Sequence, residues 1–137
     1  MLEHIEHIAV VVQDLETALK VYRDALGLPL LRVEDVPVEA VKVAFLELPE
    51  EGGHIELVQP TNGESGIARF LAKRGEGIHH ICFRVDDINA AMAHLGASGL
   101  QMIEQEPRVG RYGQKYAFVH PKSAHGVLIE LYEVPHS

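Results

Sequence analysis

Only one cysteine occurs in 137 residues, so the chain cannot close an internal disulfide. Basic residues are scarce beside acidic ones, 12 against 20, which leaves a formal charge of −8. That deficit argues against sequence-independent nucleic-acid binding, which needs a basic footprint. It leaves room for an anionic small ligand held by a few local cations. Long apolar runs are also missing. The stretch from Ile8 to Val12 is too short for a membrane span or a signal-peptide core, and no cationic leader precedes it. No low-complexity tail is evident. With 47% hydrophobic residues, the composition is ordinary for a globular chain, and the length suits a single domain, 1–137, able to bury a core. These features fit a cytoplasmic setting with no nucleic-acid or membrane partner. Cys82, in an apolar strand, is expected to be a buried, unreactive thiol.

What is present is a duplication. The run His7-Ile8-Ala9-Val10-Val11-Val12-Gln13-Asp14 is echoed by His80-Ile81-Cys82-Phe83-Arg84-Val85-Asp86-Asp87, with His and Asp seven residues apart in both. His54-Ile55-Glu56-Leu57-Val58 is echoed by Leu128-Ile129-Glu130-Leu131-Tyr132, at nearly the same distance from its His. A fixed repeat points to duplicated supersecondary units. Each half reads as a strand, a helix and three further strands. The first strands are Glu6 to Val12 and His79 to Val85. Helices follow, capped by Asp14 and Asp87, whose carboxylates can accept orphan amides of a first turn. Apolar residues at Leu15, Ala18, Leu19, Tyr22 and Leu26, and at Ile88, Ala91, Met92 and Leu95, keep the helical period. Gly27 and Gly99 sit where a left-handed stop is expected. Later strands are expected near 30–33, 41–48 and 54–59, and near 102–104, 114–120 and 126–133. Pro49 to Gly53 and Pro121 to His125 mark turns. The result is an α+β fold of two tandem βαβββ modules, about 1–60 and 78–137. They are joined by a connector over 61–77 with a helix from Ser65 to Arg74.

Strand residues alternate sides. If Ile8, Val10 and Val12 pack on a helix, His7 faces the other way, and so does His80 in its copy. Glu56 and Glu130 are likewise flanked by helix-facing apolar residues. A cupped, partly closed mixed sheet around that second face would bring two imidazoles and two carboxylates together. His7, Glu56, His80 and Glu130 are therefore the candidate metal ligands. The mixed nitrogen and oxygen set suits Co, Ni, Zn, Mn or Fe alike. His79 alternates away from His80, and His94 lies on a helix. His4, His54, His120, His125 and His136 fall at ends or turns and read as surface residues.

These residues resemble the vicinal-oxygen-chelate superfamily, the glyoxalase/bleomycin-resistance/dioxygenase-like proteins, whose βαβββ modules pair around a divalent metal. The likeness is nearest to its methylmalonyl-CoA epimerase family. It is carried by Glu6 to Val10, Ser65 to Leu71, Arg74-Gly75-Glu76-Gly77-Ile78-His79-His80-Ile81, Glu106-Pro107-Arg108, and His120-Pro121-Lys122-Ser123 before Gly126-Val127-Leu128-Ile129-Glu130-Leu131. The resemblance implies the same four ligands, cobalt among the activating metals, and a homodimer. It also implies epimerisation of the 2R and 2S forms of methylmalonyl-CoA through a chelated enolate. Glu130 is implied as one acid/base. Some family members carry a second glutamate base where this chain has Val43, which cannot take a proton. Glu47, ahead of Glu39, is the candidate replacement, since both alternate onto the Val43 face. Arg111, Lys115 and Lys122 are candidates for holding the CoA tail. A glyoxalase I-type lyase acting on a glutathione hemithioacetal would use the same ligand types, and an iron dioxygenase would need two His and one carboxylate. A metal-free binding protein of this fold is the non-enzymatic alternative.

Overall fold

The computed structural model describes residues 1–135, and they fall into two compact units. One is His7–His79; the other joins Met1–Glu6 to the chain from His80 onward. The expectation for His136 lies outside the described residues. Elements follow the expected order twice, giving an α+β chain. The first six residues nevertheless group with the second half rather than with the first module.

In the His7–His79 unit, strand β1 (Leu2–Val11), from His7 on, enters helix α1 (Leu15–Leu19), followed by β2 (Leu30–Val36), β3 (Val41–Glu47), β4 (His54–Pro60) and α2 (Gly66–Arg74). The strand order is β2-β3-β4-β1, with β4 and β1 parallel and the others antiparallel. Val10, Val12, Ile55, Leu57, Ala44 and Leu46 pack on Leu15 and Leu19 of the helix. Ala9, Val41, Val43 and Val58 take the opposite face, as strand alternation requires.

The first helix departs from its expected course. After Leu19 it opens into a π-turn over Lys20–Ala25, closed by Leu26 N–H donating to the carbonyl of Val21 at 2.8 Å. An extra residue in a turn rotates everything beyond it by about 100°. Leu26, expected on the core face, is accordingly 61% exposed.

The other unit contains β5 (Gly77–Val85) from His80 on, α3 (Ile88–Ala97), β6 (Arg108–Val109), β7 (Lys115–Val119) and β8 (Leu128–Glu133). Its order is β5-β8-β7-β6, with β5 and β8 parallel. Val85, Ala117 and Leu131 pack against Ile88, Ala91 and Met92. The strand expected over 102–104 does not form. Met102 makes a single bridge to Val119, and the short strand comes later, at β6. The Glu104 side chain explains this. Its carboxylate, instead of a backbone carbonyl, accepts from Phe118 N–H at 2.9 Å, so the ladder stops after Ile103.

Both main helices start the same way. Asp14 accepts from Thr17 N–H and Asp87 from Ala90 N–H. A second acceptor comes from the late strand of each half, three residues beyond the repeated glutamate. Gln59 Oε1 takes Leu15 N–H at 2.7 Å, and Glu133 Oε1 takes Ile88 N–H at 2.9 Å. Glu133 is buried at the start of α3. Glu133→Ala is expected to lower stability by about 1–3 kcal/mol, because a buried amide loses its acceptor. Glu133→Gln should recover most of that. Urea midpoints of the two variants check the order.

Candidate functional site

Side-chain alternation on β1 and β4 carries His7 and Glu56 away from the helix. Parallel pairing sets His7 beside His54 and Ala9 beside Glu56. His7 Nδ1 then lies 3.1 Å from Glu56 Oε2, with His7 buried and the Glu56 side chain 17% exposed. The other half repeats the arrangement. Pairing sets His80 beside Leu128 and Cys82 beside Glu130, and His80 Nε2 lies 3.1 Å from Glu130 Oε1. The repeat extends to the aromatic neighbours, since Phe45 opposes Glu56 across β3 and Phe118 opposes Glu130 across β7. The His80 ring meets Phe118 edge-on at 6.3 Å.

These gaps suit a metal. Ligands about 2 Å from an ion and at right angles to one another lie about 3 Å apart. Both His–Glu pairs have that separation. Imidazole nitrogen and carboxylate oxygen together form a donor set for a borderline divalent cation.

One participant was not expected. His54, read from its turn position as a surface residue, is half-buried, and its Nε2 lies 2.9 Å from Glu56 Oε2. Its ring stacks on His7 at 5.2 Å with 26° between planes. The donor atoms of His7, His54 and Glu56 all lie within 4.8 Å of one another. The signal was legible: His54 is two residues before Glu56 on one strand, hence on the same face.

The remaining candidates vary in placement. Glu47 pairs with His54 across β3 and β4, so it shares the His54 face, although it is exposed. Glu39 does not alternate with Val43, because Pro37–Glu39 forms a 3-10 turn before the strand, closed by Ala40 at φ 54°. Val43 is buried against Ala9 and Val58. Arg111 is exposed beside Tyr112, with its guanidinium 5.6 Å from the ring centroid, and Lys122 is exposed in a turn. Lys115 alternates with Ala117 onto the helix side of β7 and opposes Glu133, so it does not share the Glu130 face. Cys82 is fully buried, as expected. His79 packs edge-on against Phe70 of α2, away from His80.

Tyr132, next along that face from Glu130, has its phenol pushed above the ordinary value. Burial is the main cause. Neighbouring Glu6, Cys82 and Glu130 add to it, while Arg84 opposes it. The hydroxyl therefore remains a proton-bearing donor at neutral pH. Among the described residues, no helix is long and apolar enough to cross a membrane.

Known proteins are similar to this chain in sequence and in fold. A family described as the Glyoxalase/Bleomycin resistance protein/Dioxygenase superfamily matches residues 6–118. The ethylmalonyl-CoA/methylmalonyl-CoA epimerase of Cereibacter sphaeroides is 40% identical over 98% of this chain and 100% of its own length. The solved methylmalonyl-CoA epimerase of Streptomyces coelicolor, in complex with 2-nitronate-propionyl-CoA, is 34% identical. It superposes with a TM-score of 0.85 over 99% of this chain and 100% of its own. A methylmalonyl-CoA epimerase solved with methylmalonyl-CoA and NH4+ gives 34% identity and a TM-score of 0.83, covering 97% of this chain and 95% of its own.

Proposed function

Because the chain belongs to the glyoxalase/bleomycin resistance protein/dioxygenase superfamily, and relatives matching nearly its whole length are methylmalonyl-CoA epimerases, we propose that it interconverts the 2R and 2S forms of methylmalonyl-CoA. The observation that carries this reading is the repeated His–Glu pair, each with a 3.1 Å gap, on the strand faces turned away from α1 and α3. His7, Glu56, His80 and Glu130 would hold one divalent metal. Cobalt is the favoured candidate, with Ni, Zn and Mn as chemically compatible choices. When bound, the metal supplies Lewis-acid stabilisation of charge developing on the thioester oxygen.

The residues handle the proton. The C2–H bond breaks, the proton passes to a carboxylate oxygen, and the electron pair delocalises into the thioester carbonyl. Delivery of a proton to the opposite face inverts the centre, so two acid/base groups are needed. Glu130 is proposed for one face, although ligation lowers its basicity. Glu47 is proposed for the other, supported by its place on the His54 face and by the valine at 43. Arg111, Lys115 and Lys122 are proposed contacts for the CoA phosphates, with exposed Arg111 and Lys122 the better placed. The resemblance extends the proposal to a homodimer, and the single cysteine fits a cytoplasmic setting.

Deuterium wash-in at C2 of methylmalonyl-CoA, with and without a chelator, tests substrate, chemistry and metal together. Exchange is expected in the metal-replete protein, with loss on chelation and return on adding Co(II). No exchange in the metal-replete protein overturns the activity. Exchange indifferent to chelation overturns the metal requirement.

A further inference from the structure

Two imidazoles approach one oxygen of Glu56. His7 Nδ1 lies 3.1 Å away and His54 Nε2 lies 2.9 Å away. A carboxylate oxygen has lone pairs for both. The two contacts differ in what a metal would do to them. His7 must turn a bare nitrogen to the ion as a ligand, so its contact with the carboxylate is exchanged for shared coordination. His54, stacked on His7 and standing two residues before Glu56 as the first residue of β4, can keep its hydrogen bond. With the proton on Nε2, it donates to Oε2 and holds the carboxylate plane while the carboxylate coordinates.

The other half differs at the corresponding strand position. The position that pairs with His80, as His54 pairs with His7, is Leu128, whose side chain has no donor to offer. The duplication is therefore broken at one pair. On the first side a histidine supports the ligand glutamate; on the second an aliphatic residue occupies the corresponding place. We propose that His54 is a positioning residue that fixes the Glu56 carboxylate as a metal ligand.

The inference rests on Glu56 being a ligand, and the test separates the two ideas. Co(II) affinity is measured by competition with a chromophoric chelator, without substrate, for the wild-type chain and for Glu56→Ala, His54→Ala and His54→Gln. Loss of an outer partner that orients a ligand weakens metal binding by roughly 10–100-fold. His54→Ala is expected to show that loss with unchanged far-UV circular dichroism. His54→Gln, whose amide can still donate to Oε2, should regain most of the affinity. Wild-type affinity in Glu56→Ala removes the ligand assignment itself. Weakened binding in Glu56→Ala with wild-type binding in His54→Ala overturns the positioning role alone. Equal loss in His54→Ala and His54→Gln, with an altered Co(II) visible spectrum in both, overturns it by making His54 a direct ligand.

Discussion

His80→Ala is expected to strip the metal from a chain that still folds. The side chain is 15% exposed on the face of β5 opposite α3 and takes no part in the apolar cluster around Val85 and Leu131, so its removal leaves the core intact. It takes away one of four proposed ligands and leaves Glu130 with one fewer nitrogen beside it. The drop in affinity should exceed the roughly 10–100-fold caused by losing an outer hydrogen-bond partner. Metal analysis after dialysis would show the protein nearly empty where the wild-type chain retains about one ion, and epimerisation would fall with it. Full occupancy together with full activity in this variant would sink the four-ligand assignment.

A different signature is expected for Glu47→Gln. The substitution keeps the shape and removes the basicity. If Glu47 serves one face of C2, inversion should slow by roughly 10² or more. Exchange of the C2 proton from the enantiomer that meets Glu130 should persist. Metal content should stay at the wild-type level, because Glu47 is not among the proposed ligands. Following deuterium incorporation and stereochemistry in one reaction separates the two rates. Inversion at the wild-type rate makes Glu47 a bystander and moves the second proton to another donor.

The α+β pattern and the His–Glu pairing were legible because both follow from alternation. Ile8, Val10 and Val12 pack on the helix, so His7 cannot; Ile55 and Leu57 do the same for Glu56. The same rule, applied two residues before Glu56, identifies His54, which was hidden only because a turn lies just ahead of it. Other features depended on side chains competing with the backbone. Glu104 ends a ladder that the local sequence would otherwise allow to continue as a strand. The αL turn at Ala40 removes Glu39 from a face it would share if the strand began earlier. The grouping of Met1–Glu6 with the second half is a long-range matter that no local pattern announces.

The π-turn after α1 also records how the two halves diverged. From its capping aspartate to its closing glycine, the first helical segment (Asp14 to Gly27) is one residue longer than its counterpart, Asp87 to Gly99. α3 runs as a regular α-helix, while Lys20–Ala25 accommodates the surplus residue as a bulge. Length change has thus been absorbed on the solvent side. Its visible trace is Leu26 turned outward, while the alignment of β1 with β4 matches that of β5 with β8, position for position. Such a helix acts as an expansion joint. It lets an ancestral repeat drift in length without shifting the imidazole of one strand past the carboxylate of the next.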